Sequence, residues 1–184
     1  MPVNEGVFKQ FPTMATRRLV LGPFEPADAP EAFRFYSSEQ SLRFVPRDFF
    51  EDPQEGMEKV RGFAEAFEEH SAIWWTCRVQ ATGEFVGYGG LFDISTEDHN
   101  AEVGYGFHPE YWGQGFASEA VRSIVDFGFE NLGLRRIFGL IDPDNGASMR
   151  VLEKLGFEKE GVLRDNAFAR ERYWDHCLYA RISQ

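Results

Sequence analysis

The 184-residue chain predicts an α/β (α+β) fold, with one domain over residues 1–184 and a mixed central sheet of about seven strands bearing helices on both faces. Three observations carry this expectation. The hydrophobic period switches repeatedly between the helical and the strand value. The resulting segments follow the order β-α-α-β-β-β-α-β-α-β-β. A glycine loop at Trp112–Ser118 opens directly into a helical stretch. With 43% hydrophobic and 16% aromatic residues, the chain has enough apolar side chain for one good-sized core. Residues 1–15 are expected to form a flexible N-terminal segment.

Arg18 to Phe24 reads as the first strand. Asp28-Ala29-Pro30-Glu31 then offers an N-cap and a capping-box acid for a helix reaching Ser37. Asp52 caps a second helix with Pro53 in its first turn, and Met57, Val60, Phe63, Ala64 and Phe67 recur on one face. Ile73 to Val79, Glu84 to Phe92 and Ala101 to Phe107 have the strand period. The turn Ala81-Thr82-Gly83 and the polar loop Ser95 to Asn100 join them into an antiparallel meander.

Phe116 to Phe129 has Ala117, Ala120, Val121, Ile124 and Gly128 at helical spacing, and an apolar strand follows from Arg136 to Ile141. A short helix, Ala147 to Leu155, stops at Gly156. Strands near Phe157 to Arg164 and Tyr173 to Ile182 close the chain.

The loop before Phe116 suits an anion, because the first N–H groups of a helix lack partners and glycine admits close approach of a ligand. Three phosphate-binding patterns compete for it. The G-x-x-x-x-G-K-[ST] loop fails, since no lysine follows Gly115. The dinucleotide pattern G-x-G-x-x-G has Gly113 and Gly115 but ends on Ser118, and no acidic ribose ligand closes the next strand. The third pattern, [QR]-x-x-G-x-[GA], falls on Trp112-Gly113-Gln114-Gly115-Phe116-Ala117, with Trp112 replacing the first residue.

That third pattern is the pyrophosphate loop of the GCN5-related N-acetyltransferases (GNAT), and the chain resembles their RimJ/RimL-like branch over nearly its whole length. The likeness rests on Thr16-x-Arg18-Leu19-x-Leu21, Asp28-Ala29, Ala101-Glu102-Val103-Gly104-Tyr105, the Trp112 loop followed by Glu119-Ala120, Asn145-x-x-Ser148, Lys154-Leu155-Gly156-Phe157 and a last-strand Asp175 before Leu178-Tyr179-Ala180.

The resemblance implies transfer of acetyl from acetyl-CoA to a primary amine in a ternary complex, without a metal. It assigns cofactor contact to Tyr105, Gly106, Phe107, Asn145 and the loop Trp112, Gly113, Gln114, Gly115, Phe116, Ala117 and Ser118. The strand containing Gly104-Tyr105-Gly106 is expected to bulge and to splay from the Arg136–Ile141 strand, so that the pantetheine arm lies between them and a backbone N–H near Tyr105–Phe107 serves the thioester carbonyl. The bland alternative is that the glycines relieve crowding beneath Trp112 or Tyr111.

The reaction needs a group to deprotonate the amine, a donor for the carbonyl and an acid for the thiolate. Many family members carry a tyrosine acid in a Y-E-K-L-G-F stretch, and here that stretch begins at Leu152. The branch points instead to Ser148, whose alternative is a helix-start serine bonding its own backbone. Asn145 contacts the pantetheine arm in the family, although helix capping would also explain it. Glu102 is the candidate base, because its strand runs past the acyl end, yet alternation along the strand could turn it away. His108 is a further basic group that base rates assign to surface or packing.

A net charge of -11 argues against a nucleic-acid partner and suits phosphates held by backbone N–H groups rather than lysines. No apolar run or leader pattern suggests a membrane, so a cytoplasmic monomer or homodimer is expected. Cys77 and Cys177 lie in apolar segments and read as buried free thiols. An α-amine, with a reference pKa of about 7.7 to 8.0, is partly neutral at pH 7, whereas a lysine amine is not, which favours a protein or peptide N-terminus as acceptor. Small amines such as polyamines or aminoglycosides, and a non-catalytic acyl-CoA-binding module, are the alternatives.

Overall fold

In the computed structural model, which describes residues 3–183, one eight-stranded sheet has the strand order β1-β2-β3-β4-β5-β6-β8-β7. The elements are β1 (Met14–Ala15), β2 (Leu19–Gly22), α1 (Ala29–Tyr36), α2 (Pro53–Glu68), β3 (Ile73–Val79), β4 (Phe85–Ser95), β5 (Asn100–Phe107), α3 (Phe116–Glu130), β6 (Arg136–Ile141), α4 (Gly146–Lys154), β7 (Glu158–Ala169) and β8 (Arg172–Ile182). The two-residue β1, too short for a periodic signal, is the strand added to the expected order. All pairings are antiparallel except β5 with β6, which α3 connects by a crossover.

Helices α3 and α4 pack on one face of the sheet and α1 and α2 on the other. Val121, Ile124, Val125 and Leu152 join Leu91, Val103 and Ile137 in the larger core, whereas Phe35, Tyr36 and Phe63 join Tyr88 in an aromatic core opposite. Each such side chain contributes about 1.5–3 kcal/mol on full burial.

Residues 3–15 are folded onto the larger core rather than free. Val3 and Phe8 are buried in it, Phe11 packs against it, and Pro12 accepts the Trp75 indole N–H at 2.6 Å. The flexible lead-in expected over 1–15 is thereby corrected for these residues, while positions 1 and 2 lie outside the described ones.

Asp52 caps α2 as expected, accepting the Gln54 N–H at 2.8 Å. Asp28, in contrast, makes no side-chain cap to α1. Its carboxylate accepts the Glu25 N–H at 2.9 Å in the preceding 3-10 turn and pairs with Arg78. On α2, Val60 and Phe63 face inward, but Met57 is 43% exposed and Ala64 is also exposed, because the helix leans its Gly56–Val60–Phe63 side on the protein.

The expected bulge in β5 is absent. Pairing with β4 runs in uninterrupted register from Phe107 opposite Gly87 to Glu102 opposite Phe92. Gly104 and Gly106 instead make room for aromatic side chains other than Tyr111 and Trp112. A Cβ on Gly106 would fall 2.4 Å from the Phe35 ring, and one on Gly104 2.9 Å from Phe92. The splay is present: β5 pairs with β6 only from Asn100 to Glu102, and residues 103–107 have no strand partner on that side.

Candidate active site

The site begins where α3 begins. Gly113 and Gly115 have φ of +72° and +82°, the left-handed region that glycine enters without penalty. This path exposes the backbone N–H groups from Gly113 to Ser118, none of which meets a protein acceptor among the described residues. The positive end of a 15-residue helix therefore opens on a cradle of unpaired donors, a geometry suited to a phosphate or diphosphate.

Long-range contacts hold this loop. Arg18 Nη1 donates to the Gln114 carbonyl at 2.9 Å, and its Nε donates to Glu119 at 2.7 Å. Glu119, in the first turn of α3, also accepts from the Thr16 hydroxyl at 2.6 Å and the Arg18 backbone N–H at 2.7 Å. Burial tends to raise the Glu119 carboxyl, but these donors outweigh it and its pKa is lowered. The Thr16-x-Arg18 pair thus fastens β2 to the loop. Glu119→Ala is expected to destabilise the fold by about 1–3 kcal/mol, read as a lower urea midpoint, because Arg18 and Thr16 lose their acceptor.

The side chains of the loop do not share one role. Trp112 is 47% exposed, and its indole donates to the Phe107 carbonyl at 2.7 Å, tying the loop to the end of β5. Gln114 Nε2 donates to the Glu110 carbonyl at 2.9 Å. Phe116 is buried beneath the Arg18 guanidinium, 4.4 Å from its ring centroid. Gln114 and Phe116 therefore offer a ligand their backbone N–H groups. Gly113, Gly115, Ala117 and Ser118 line a cavity of about 350 Å³ that continues past Gly106 and Phe107 toward α4.

On the other side of the splay lies a larger cavity of about 960 Å³. Both cavities are lined by Tyr105, Asn145 and Ser148 and so meet there. His108 N–H donates to the Val86 carbonyl at 3.0 Å. Antiparallel alternation from that pair turns the N–H groups of Tyr105 and Phe107 toward the open side of β5. They are donors without a strand partner, where an extended ligand can take the place of one.

Glu102 is directed into the larger cavity, not away from it. It lies on the α1/α2 side of β5, opposite Tyr105, so the alternation that threatened its role instead turns it to the larger cavity alone, whereas Tyr105 lines both. Burial, reinforced by the nearby Asp93 carboxylate, raises its pKa to about 7, and a hydrogen bond from the Leu140 N–H pulls the other way. A carboxyl tuned to neutrality in a cavity is suited to take up a proton at pH 7.

Asn145 caps α4 with its Oδ1 accepting the Ser148 N–H at 3.1 Å, which leaves its amide N–H groups available to a ligand. The Ser148 carbonyl accepts the Tyr105 hydroxyl at 3.3 Å. Burial raises the Tyr105 pKa to about 12, so the phenol remains protonated. Tyr105, assigned to cofactor contact, brings a hydroxyl as well as its backbone N–H to the junction. His176, with Nδ1 3.1 Å from the Asn166 amide, adds a wall of the larger cavity from β7 and β8. A lone polar residue in an alternating strand gives no sequence signal of this kind.

His108 belongs to neither cavity. It is 1% exposed between Phe35 and Phe85, with Nε2 3.2 Å from Glu31 Oε2, and it is a packing residue. Among the described residues no cluster of three histidine, cysteine or acidic side chains could hold a metal ion, and no helix is long and apolar enough to cross a membrane. Cys77 and Cys177 are buried and free, and burial pushes the Cys77 thiol up out of reactive range.

Residues 18–158 match the family described as Acetyltransferase (GNAT) domain. The chain is 34% identical over 172 residues, 94% of its own length and 97% of the relative's, to the uncharacterized N-acetyltransferase YoaA of Bacillus subtilis (strain 168). It is 28% identical over 145 residues, 78% of its length and 76% of the relative's, to the spermidine N(1)-acetyltransferase of Escherichia coli (strain K12). Among solved structures, Mycobacterium smegmatis RimJ in complex with CoA-disulfide superposes with a TM-score of 0.84 at 22% identity, covering 94% of this chain and 88% of that one.

Proposed function

From the premise that the chain belongs to the GNAT acetyltransferase family and is an acyl-CoA-dependent N-acetyltransferase, we propose that it acetylates the α-amine of a protein or peptide N-terminus by direct attack within a ternary complex. The domain would span residues 1–184 and work in the cytoplasm, as a monomer or homodimer. The observation that carries this reading is the junction of two cavities at Tyr105, Asn145 and Ser148, with Glu102 facing the larger one.

Acetyl-CoA supplies an activated thioester. In this reading the N–H groups of Gly113 to Ser118 receive its pyrophosphate, and Asn145 together with the open edge of β5 at Tyr105, Gly106 and Phe107 holds the pantetheine arm. A Tyr105 or Phe107 N–H faces the carbonyl oxygen as charge develops. The acceptor enters from the α1/α2 side. Glu102 takes the ammonium proton and later returns it to solvent, the neutral amine attacks the thioester carbon, and as the carbon–sulfur bond breaks the new amide nitrogen loses its second proton to solvent. The Ser148 hydroxyl donates to the departing thiolate and is reprotonated from solvent.

The test is free-thiol release from acetyl-CoA with N-terminal peptides, polyamines and aminoglycosides as acceptors. Fastest release with peptide α-amines is expected. Fastest release with polyamines would replace the peptide reading, and no release with any amine would end the catalytic one. Ser148→Ala is expected to lower kcat by about tenfold with the KM for acetyl-CoA unchanged. A wild-type rate would leave Ser148 as a helix-start residue only.

A further inference from the structure

The larger cavity has a second charged pole that acetyl transfer itself does not use. Arg47, in the segment between α1 and α2, and Lys59, on α2, both line it, and both lie over the Tyr36 ring, with Arg47 Cζ at 4.8 Å and Lys59 Nζ at 5.4 Å from its centroid. Arg47 also lies 5.2 Å from the Phe50 ring centroid, and Lys59 lies 4.5 Å from that of Phe63. Beneath them the Tyr36 and Tyr88 hydroxyls are hydrogen bonded to each other at 2.6 Å and buried.

No carboxylate answers these two cations. Neither forms an ion pair among the described residues, and Asp48, next in sequence to Arg47, accepts the Arg170 backbone N–H at 3.1 Å instead. Burial, and then the charge of Arg47, lower the Lys59 pKa to about 8. Two half-buried like charges that repel each other are costly without a counter-ion. Aromatic faces offset only part of that cost.

Of the four acidic side chains that line the cavity, Asp48 is engaged by the Arg170 N–H, and Asp93, Glu102 and Asp142 belong to β4, β5 and the position that follows β6. The charge of Arg47 lowers the Lys59 pKa, and that of Asp93 raises the Glu102 pKa. The cavity is therefore bipolar, with a proton-accepting carboxylate at the acyl junction and an unanswered cation pair elsewhere on its wall.

We propose that the acceptor is an amine that also carries a carboxylate, with the amine at Glu102 and the carboxylate bound by Arg47 and Lys59. This deepens the acetyltransferase reading and rests on it. A polyamine, all of whose polar groups are cationic, would meet repulsion at this pole. The carboxylate can come from a free amino acid or from an acidic side chain near a peptide N-terminus.

The test is calorimetric titration of the CoA complex, and of the free protein in parallel, where no acetyl group is present and no turnover occurs. Alanine is compared with alaninamide, and Ala-Glu-NH2 with Ala-Gln-NH2. The acid member of one pair is expected to bind about tenfold or more tightly than its amide, and which pair responds identifies the source. In Arg47→Met and Lys59→Met that ratio is expected to fall toward one, and Lys59→Arg is expected to restore it. Equal binding of acid and amide in both pairs, absence of binding by all four, or a ratio unmoved by the substitutions would overturn the proposal. Failure of the acetyltransferase reading is separate, because it shows as absent thiol release or absent CoA binding.

Discussion

Gly115→Glu is expected to weaken acetyl-CoA binding by about a hundredfold or more while leaving the fold standing. The position carries φ of +82°, so a side chain there costs about 1–2 kcal/mol in backbone strain. An added Cβ would meet only Arg18 Nη2, at 3.4 Å, so little else is disturbed. The carboxylate would sit at the mouth of the donor cradle from Gly113 to Ser118, where it competes for the same N–H groups and repels a pyrophosphate. Calorimetric titration with CoA measures the loss, and a thermal melt reports the fold. Gly115→Asn, which tolerates the same backbone region, is the control and is expected to lose far less. Unchanged affinity in the glutamate variant would remove the pyrophosphate assignment.

Glu102→Gln is expected to lower kcat/KM by about a hundredfold, the loss of one well-placed general base. The wild-type rate should rise with pH through about 7, where the Glu102 carboxyl ionises, and level off above it. In the variant that limb disappears, and only the ionisation of the acceptor amine remains in the profile. Stability should move the other way. The folded carboxyl titrates above its unfolded value, so the folded state binds the extra proton and wild-type stability declines as pH rises from about 4.5 toward 7. The glutamine variant escapes that decline and is expected to be more stable above pH 7 by about 1–3 kcal/mol. A variant as fast as wild type would show that solvent alone takes the proton.

Most of the fold was legible because its signals are local. The Asp52 cap, the apolar spacing of α3, the meander from Ile73 to Phe107 and the stop at Gly156 each depend on a few adjacent residues, and each falls within a few residues of its expected place. The departures share a non-local cause. Asp28 is a plausible cap by sequence but is drawn to Arg78, fifty residues on. Met57 has the right period, yet the angle at which α2 leans on the sheet leaves it outside. Residues 3–15 fold down because Trp75 and Phe67 offer them a surface to cover.

The donor half of the site follows the same division. Glycine at positive φ followed at once by a helix is a property of one short segment, and it identifies an anion cradle in any context. The sequence by itself therefore determined the architecture, the acetyltransferase family and the loop suited to pyrophosphate. Only the tertiary structure decided that Gly104 and Gly106 yield to Phe92 and Phe35, that Glu102 faces a cavity, and that Ser148 and Tyr105 stand where two cavities join. It also brought Arg47 and Lys59 together over Tyr36. The physical reason is that backbone conformation responds to neighbours in sequence, whereas burial and electrostatic environment are set by side chains that only the closed sheet and its splay bring into contact.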